Sequence, residues 1–250
     1  MTGERPRTER VLLRIRQHAY GPGGYVGQQG FMQVDEIREL AGRARIAPGV
    51  RVLDLCCGVA GPGRLIAREL GCRYLGVDAS PEAIAIARDG TATPECRFEV
   101  ARVPPLPDGR FDVVLLLETM LAFTDKQTLL HDVRAALPIG GRFACTVEEG
   151  APLGASERDQ MPAADTVWPI VLDDLRALLR RTGFVIAWQR DCTQAHLGVV
   201  DSLVDAMSAE APGVEDRAID DLLTAHRLWS EWLRSGRIRK FAVVAEASSL

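Results

Sequence analysis

Short apolar runs alternate with amphipathic segments through the first two thirds of this 250-residue chain. The amphipathic segments repeat apolar residues at helical spacing, whereas the runs have the length of strands. Strands that are apolar on both faces and separated by helices form parallel sheets covered by helices on both sides. We therefore predict a doubly wound α/β fold with strands at 52–55, 74–77, 97–100, 111–117 and 141–148.

In the last third of the chain, the regular alternation of strands and helices ends. We predict a sixth strand at 184–189 and a seventh at 238–245, separated by a helical insert at 193–235. Pro212 and Gly213 interrupt this insert, which could cover the carboxyl edge of the sheet as a lid. The predicted organisation is a single domain: an N-terminal helical cap (1–47), a cofactor-binding core (48–192), the lid (193–236) and the last strand (237–250).

Composition and charge narrow the function classes. With 47% hydrophobic and 26% charged residues the chain reads as globular, and a formal charge of -4 offers no basic surface for nucleic acid. The longest apolar run, 113–117, is far too short to span a membrane, and the N-terminus is charged. The six cysteines have neither metal-site nor disulfide spacing. We expect a cytoplasmic protein with reduced thiols, no metal and a small-molecule partner; its oligomeric state stays open.

The turn after the first predicted strand, from Asp54 to Gly63, is rich in glycine and precedes a helix. In doubly wound sheets this turn lies at the ligand site, because ligands bind beyond the carboxyl ends of the strands. Asp78 ends the second strand, where a carboxylate can accept both hydroxyls of a ribose. The glycine spacing differs from the G-x-G-x-x-G of NAD-binding proteins, and Asp54 favours a cationic ligand over a pyrophosphate.

Four motifs occur in an order and spacing that resemble the class I S-adenosylmethionine-dependent methyltransferases. They are V-L-D-L-C-C-G (52–58), L-G-V-D-A-S-P (75–81), L-P-D-G-R-F-D-V-V (106–114) and L-P-I-G-G-R (137–142). The resemblance covers residues 48–146, with weaker similarity beyond. It implies a Rossmann-like, mostly parallel seven-stranded sheet with the last strand antiparallel, S-adenosylmethionine as cofactor and S-adenosylhomocysteine as product.

The resemblance also implies a set of cofactor contacts. These are Tyr25, Gln33, Asp54, Cys56, Cys57, Gly58, Asp78, Ala79, Arg102 and Val103. Asp78 would hold the ribose, and the backbone of 56–58 would line the methionine part. Cys56 and Ala60 replace glycines that are usual in the family, which makes the turn bulkier. Arg102 and Val103 follow the third strand in place of an acid that often binds adenine, so we expect stacking on Arg102 or apolar contact with Val103.

Glu118, at the carboxyl end of the fourth strand, is the candidate catalytic residue. Methyl transfer is an in-line displacement at an activated carbon, so the enzyme works mainly by aligning the acceptor. A carboxylate there could act as a general base or stabilise a cationic acceptor or intermediate. Its surroundings resemble the E-x-x-x-H stretch of methyltransferases that act on carbon or nitrogen, with Ala122 in place of the histidine. A structural role for Glu118 as a helix N-terminal acid stays open.

For several other polar and aromatic residues, the sequence allows either a role in function or a role in packing. His196 begins the insert and could reach the site, although we favour a packing role for it. Trp229 and Trp232, at helical spacing, are expected in the core rather than around a substrate. Glu148 follows the fifth strand and could bind a cationic acceptor or lie in a solvated loop.

The expected function is methyl transfer from S-adenosylmethionine to a small organic acceptor, with nitrogen or carbon favoured over oxygen. Only two of the 30 basic residues are lysines, a coding bias that points to a high-GC bacterium, and we expect a role in bacterial specialised metabolism. Three alternatives stay open: a cyclase or other non-methylating enzyme that keeps the cofactor, an NAD-dependent oxidoreductase, and a noncatalytic binding protein. The acceptor cannot be named, because its walls come from the N-terminal loop and the late insert.

Overall fold

The computed structural model describes residues 7–90, 95–210 and 217–249. Its strands are β1 Arg51–Leu55, β2 Arg73–Asp78, β3 Cys96–Val100, β4 Val113–Leu116, β5 Arg142–Glu149, β6 Phe184–Asp191 and β7 Arg239–Ala247. They form a seven-stranded sheet in the order β3-β2-β1-β4-β5-β7-β6. The first five strands pair in parallel, and β7 runs antiparallel to both β5 and β6. The predicted fold class is confirmed, including the antiparallel last strand.

Nine α-helices occur in the described residues. They are α1 Arg7–Tyr20, α2 Val34–Arg43, α3 Gly61–Leu70, α4 Pro81–Asp89, α5 Lys126–Ala136, α6 Ala155–Gln160, α7 Leu172–Arg181, α8 Thr193–Glu210 and α9 Arg217–Ser235. Ser80 caps α4, since its hydroxyl accepts a hydrogen bond from the Ala83 N–H. The short α6 was not predicted, because its sequence A-S-E-R-D-Q has no apolar periodicity. The predicted break at Pro212 and Gly213 lies outside the described residues.

The sheet is buried on both faces, as its apolar strands predict. Neighbouring residues of a strand point to opposite faces, so Leu53 packs in a cluster with α5 and α7, while Val52 packs in a cluster with α2, α3 and α4. Leu116 and Leu115 of β4 divide between the same two clusters. The double burial fixes the register of the central strands and so the positions of the residues that follow them.

Helices α1, α8 and α9 form a separate layer with its own apolar contacts. α8 packs against both α9 and α1, and Val11, Leu203 and Ile219 share one buried cluster. A second cluster joins Trp229 and Trp232 to Leu153 in the segment after β5, so both tryptophans pack in a core. No helix in the described part of the chain is both long and apolar enough to cross a lipid bilayer.

Candidate functional site

A cavity of about 210 Å³ lies at the carboxyl ends of β1 and β4. Its walls come from the turn after β1, the start of α3, the residues after β4 and the segment before α2. The lining residues are Gly27, Gln28, Gln29, Gly30, Met32, Asp54, Cys56, Cys57, Gly58, Val59, Pro62, Leu117, Glu118 and Thr119. A larger groove of about 860 Å³ runs beside β2, β3 and the 105–111 loop, but none of the predicted site residues lines it.

The turn after β1 holds two non-glycine residues in the left-handed region. Cys56 has φ +56° and Ala60 has φ +57°, next to Gly58 at φ +54°. This conformation costs a residue with a Cβ roughly 1–2 kcal/mol. The two positions where the family resemblance leads one to expect glycine therefore have a geometry that favours glycine. Burial raises the pKa of the Cys56 thiol to about 12, so this thiol stays protonated and is a poor nucleophile.

The two aspartates of the turn region differ in their surroundings. Asp78 ends β2, and its carboxylate accepts the N–H groups of Gly58 and Ser80, each at 2.9 Å. Asp54 is 3% exposed and accepts the hydroxyl of Tyr74. Burial raises the pKa of Asp54 to about 7; the Tyr74 hydrogen bond opposes this rise and the charge of Asp78 adds to it. Asp78 is thus fixed beside the turn, while Asp54 titrates near neutral pH.

Glu118 directly follows β4, has φ +60° and borders the cavity. Its Oε1 accepts the Thr146 hydroxyl at 3.0 Å and lies 2.6 Å from Lys240 Nζ, while its Oε2 accepts the Phe31 N–H at 2.8 Å. Burial raises the pKa of Glu118, but the charge of Lys240 and the Phe31 N–H outweigh burial and hold it below its usual range. Glu118 is therefore a fixed anion and a weak base.

Lys240, on β7, connects Glu118 to a second buried carboxylate. Its ammonium pairs with Glu118 and Glu148, and these two charges raise the pKa of Lys240 despite its burial. His196 Nδ1 lies 3.9 Å from Glu118 Oε2, and burial lowers the pKa of His196 to about 3, so its ring is neutral. Within the described residues Glu148 Oε2 has no hydrogen-bond partner. The cluster therefore carries two negative charges against one positive charge when Glu148 is ionised.

The same cluster has the composition of a metal site. Ligand atoms of Glu118, Glu148 and His196 all lie within 4.8 Å of one another. The Lys240 ammonium, however, already contacts both carboxylates and takes the place of a bound cation. Removing one charged partner from a buried ion pair is strongly unfavourable. The expectation that the protein uses no metal stays a prediction.

Five of the eleven predicted site residues lie together. Asp54, Cys56, Cys57 and Gly58 line the cavity with Glu118. Asp78 does not line it but contacts the turn through Gly58.

The other predicted contacts lie away from the cavity wall. Tyr25 packs on Tyr20, with ring centroids 5.8 Å apart, and Gln33 is the exposed N-cap of α2, with its N–H bonded to Glu36. Gln28 and Gln29, rather than these two residues, contribute to the wall. The three remaining residues lie on the surface or its edge: Ala79 and Arg102 are exposed, and Val103 packs at the margin of a core cluster. Their proposed roles stay predictions.

Sequence reasoning missed Lys240 and Thr146, and it favoured a packing role for His196, which lies beside Glu118. Lysine rarity was a usable signal, because both lysines of the chain, Lys126 and Lys240, are buried at this site or next to it. Glu148 is not in a solvated loop, since it belongs to β5 and is 5% exposed.

A doubly wound sheet with a glycine-rich turn after β1, an aspartate at the end of β2 and a carboxylate beyond β4 defines a Rossmann-like cofactor-binding domain. Residues 52–141 match the family model of a methyltransferase domain. This matched part, about a third of the chain, contains the glycine-rich turn, Asp78 and Glu118, and it resembles the class I S-adenosylmethionine-dependent methyltransferases.

Similar proteins and solved structures agree with the resemblance to methyltransferases. Over 189 residues the chain is 28% identical to phosphoethanolamine N-methyltransferase 1 of Zea mays, covering 73% of this chain and 37% of that protein. The chain thus spans little more than a third of that relative's length. It resembles the (4+2)-cyclase SpnF, with a TM-score of 0.73, 18% identity and coverage of 97% and 96% of the two chains. It also resembles the cyclopropane synthase MmaA2 of Mycobacterium tuberculosis, with a TM-score of 0.79 and 14% identity. That match covers 94% of this chain and 93% of the other. At such identities the structural likeness shows the fold alone.

Proposed function

We propose that this chain transfers the methyl group of S-adenosylmethionine to a small-molecule acceptor and releases S-adenosylhomocysteine. The observation that carries the proposal is an ionised carboxylate, Glu118, on the same cavity wall as the glycine-rich turn and Asp54. A cofactor bound there supplies a methyl group activated by a sulfonium. The lysine-poor composition supports a bacterial source, and specialised metabolism is the setting that we propose.

The residues around the cavity fit this cofactor. Asp78 is oriented by the Gly58 N–H, and each of its oxygens keeps a lone pair for a ribose hydroxyl. Asp54 lies deeper and offers a carboxylate to the ammonium of the methionine part. The left-handed Gly58 lets the backbone approach a ligand closely.

The cavity must widen to admit the cofactor. Its volume of about 210 Å³ is below the roughly 300–1,000 Å³ typical of small-molecule sites. The segment of residues 20–33, here called the entrance segment, lies on the turn: a Cβ on Gly61 would collide with Val26 and Gly27. We infer that the entrance segment moves outward when the cofactor binds.

Glu118 favours acceptors at nitrogen or carbon. In the step, an electron pair of the acceptor forms the bond to the methyl carbon, the carbon–sulfur bond breaks, and sulfur keeps that bonding pair. Positive charge passes to the acceptor, which later loses a proton to water. A fixed anion at Glu118 stabilises this charge. A hydroxyl acceptor needs its proton removed by a base, and the lowered pKa of Glu118 makes it a weak one.

Glu118→Gln tests this role, with Glu149→Gln as the matched control. Glu149 pairs with Arg239 at 2.8 Å. With methyl-labelled donor and a panel of amines and electron-rich aromatic compounds, we expect label in the acceptor and an equal amount of S-adenosylhomocysteine. Glu118→Gln should lower kcat roughly 10²–10³-fold because it removes a preorganised charge, with little change in S-adenosylhomocysteine affinity. If both variants retain full kcat, Glu118 has no catalytic role.

A cyclase or other non-methylating enzyme is the second candidate. The observation that favours it is again Glu118, because a fixed anion of weak basicity can stabilise a cationic intermediate without any methyl transfer. The labelled-donor assay separates the two functions. An enzyme of the second kind forms product while the donor is not consumed.

A further inference from the structure

The side chain of Phe31 lies between two buried histidines of the helical layer. Its ring packs edge-on against His196 of α8, with centroids 4.6 Å apart, and against His226 of α9, with centroids 5.2 Å apart. It also packs against the cluster that contains Trp229 and the cluster that contains Leu203. The space that the Phe31 ring occupies is here called the Phe31 chamber.

The walls of the Phe31 chamber are uncharged. Burial lowers the pKa values of His196 and His226, so both rings are neutral at neutral pH. The two clusters around the ring consist of aliphatic and aromatic residues. The charged groups that act on the two histidines include Glu118 and Lys240, which act on His196, and Arg16 of α1, which acts on His226. A neutral apolar group therefore fits these walls better than an ion.

The Phe31 chamber begins where an acceptor has to be. The Phe31 N–H bonds Glu118 Oε2, and Gly30 packs so closely on Glu118 that a Cβ there would overlap its side chain. Residues 30 and 31 thus pack on the Glu118 carboxylate beside His196 of the helical layer. Glu118 borders the cavity on one side; from the side of the helical layer, an acceptor atom reaches the carboxylate only if this short stretch withdraws.

The entrance segment has the composition of a movable element. Gly21, Gly23 and Gly27 have positive φ values, which allow backbone conformations closed to other residues. The polar contacts at the end of the segment include the Phe31 bond to Glu118, the hydrogen bond from the Tyr20 hydroxyl to the Gly30 carbonyl and the bond from the Gln28 amide to the Met32 carbonyl. Phe31 is partly exposed, so outward movement of the ring leads toward solvent.

We propose that Phe31 fills the acceptor site, and that the acceptor is an uncharged aromatic or alicyclic molecule that replaces the Phe31 ring between His196 and His226. The proposal rests on the proposed function and names its substrate class. The reacting atom of the acceptor lies beside Glu118, and its apolar body lies in the Phe31 chamber. Phe31 thereby selects for acceptors that bury enough apolar surface to displace a phenyl ring.

Phe31→Ala tests the proposal, because truncation leaves an apolar space that can bind a small aromatic molecule. The probes are p-cresol, benzoate and benzylamine, which have similar size and are neutral, anionic and cationic at pH 7. Isothermal titration is done with S-adenosylhomocysteine present. We expect p-cresol to bind Phe31→Ala at least tenfold more tightly than the wild type, and at least tenfold more tightly than either charged probe.

Two further variants serve as controls for this titration. Ile139→Ala, which shortens an exposed apolar side chain and opens no buried space, should show no gain. Phe31→Leu, a milder change that keeps an apolar side chain, should bind p-cresol with intermediate affinity. Equal gains for Ile139→Ala and Phe31→Ala, or tighter binding of benzylamine than of p-cresol, would overturn the proposal.

The same titrations separate this proposal from the proposed function. If wild-type protein does not bind S-adenosylhomocysteine, the proposed function fails. If S-adenosylhomocysteine binds but neither Phe31 variant gains affinity for p-cresol, only the assignment of the Phe31 chamber fails.

Discussion

At the scale of single residues, the pKa values of two carboxylates near one cavity are shifted in opposite directions. Asp54 is buried with a hydroxyl partner, and its pKa is raised to about 7, whereas the ammonium of Lys240 keeps Glu118 ionised. Carboxyl groups whose environments drive their pKa values apart are suited to different tasks. Asp54 is suited to exchange a proton when a cation binds, and Glu118 to remain charged throughout a reaction.

Cofactor affinity should depend on pH through Asp54. In the proposed complex the ammonium of S-adenosylhomocysteine pairs with the ionised carboxylate, and Asp54 is largely protonated below its raised pKa. Affinity should therefore rise about tenfold from pH 6 to pH 8, as the ionised fraction of a group with this pKa does. Isothermal titration across this range measures the change. Asp54→Asn, which can still accept the Tyr74 hydroxyl, should bind more weakly and with a flat profile; an unchanged slope would contradict the assignment.

Removing Lys240 should be costly. Lys240→Met leaves Glu118 and Glu148 as buried carboxylates without their cation, a change that typically costs about 3–5 kcal/mol. Urea unfolding measures the loss. Arg239→Met is the control, because its exposed pair with Glu149 should contribute under about 1 kcal/mol. Equal losses for the two variants would show that the buried cluster contributes no more to stability than the exposed pair.

At the scale of elements, the entrance segment and α2 differ in how much room their glycines have. A Cβ on Gly30 would collide with Glu118, whereas a Cβ on Gly42 of α2 would meet nothing within 4 Å. Gly30→Ala should push the entrance segment off Glu118 and lower stability by about 1–3 kcal/mol. Gly42→Ala should raise stability by about 0.5–1 kcal/mol, since alanine favours helix. Thermal unfolding measures both; stabilisation by Gly30→Ala would contradict the close contact.

The elements of the core could be read from the sequence because each satisfies a local rule. The strand at 52–55 is apolar on both faces, and Ser80 before Pro81 marks the start of α4. Helix α7 begins at Leu172, because Ile170 just before it pairs with Glu149 at the end of β5. A long-range backbone bridge of this kind leaves no trace in local periodicity.

At the scale of the whole molecule, the site is completed by the far end of the chain. Strand β7 inserts between β5 and β6 in antiparallel direction, and its register places Lys240 opposite Glu148. Glu118, predicted from its position after a strand, could be found locally. Its partner Lys240 could not, because 122 residues separate the two along the chain and only the strand order brings them together.

Helices α8 and α9 lie in the segment predicted as a lid, and α1 lies in the predicted N-terminal cap; the inner surface that the three helices form was not predicted. Which side chains of two helices meet over a sheet depends on packing angles that local sequence does not specify. The placement of Phe31 between His196 and His226 joins three segments far apart in the chain. Acceptor recognition is therefore the part of the function that required the structure.

Titration of the wild-type protein with S-adenosylhomocysteine, beside the same titration with NAD, tests the central claim most directly. We predict one S-adenosylhomocysteine per chain, no binding of NAD, and a loss of at least tenfold in affinity for Asp78→Asn, whose carboxylate faces the turn. Binding of NAD without binding of S-adenosylhomocysteine would contradict the account.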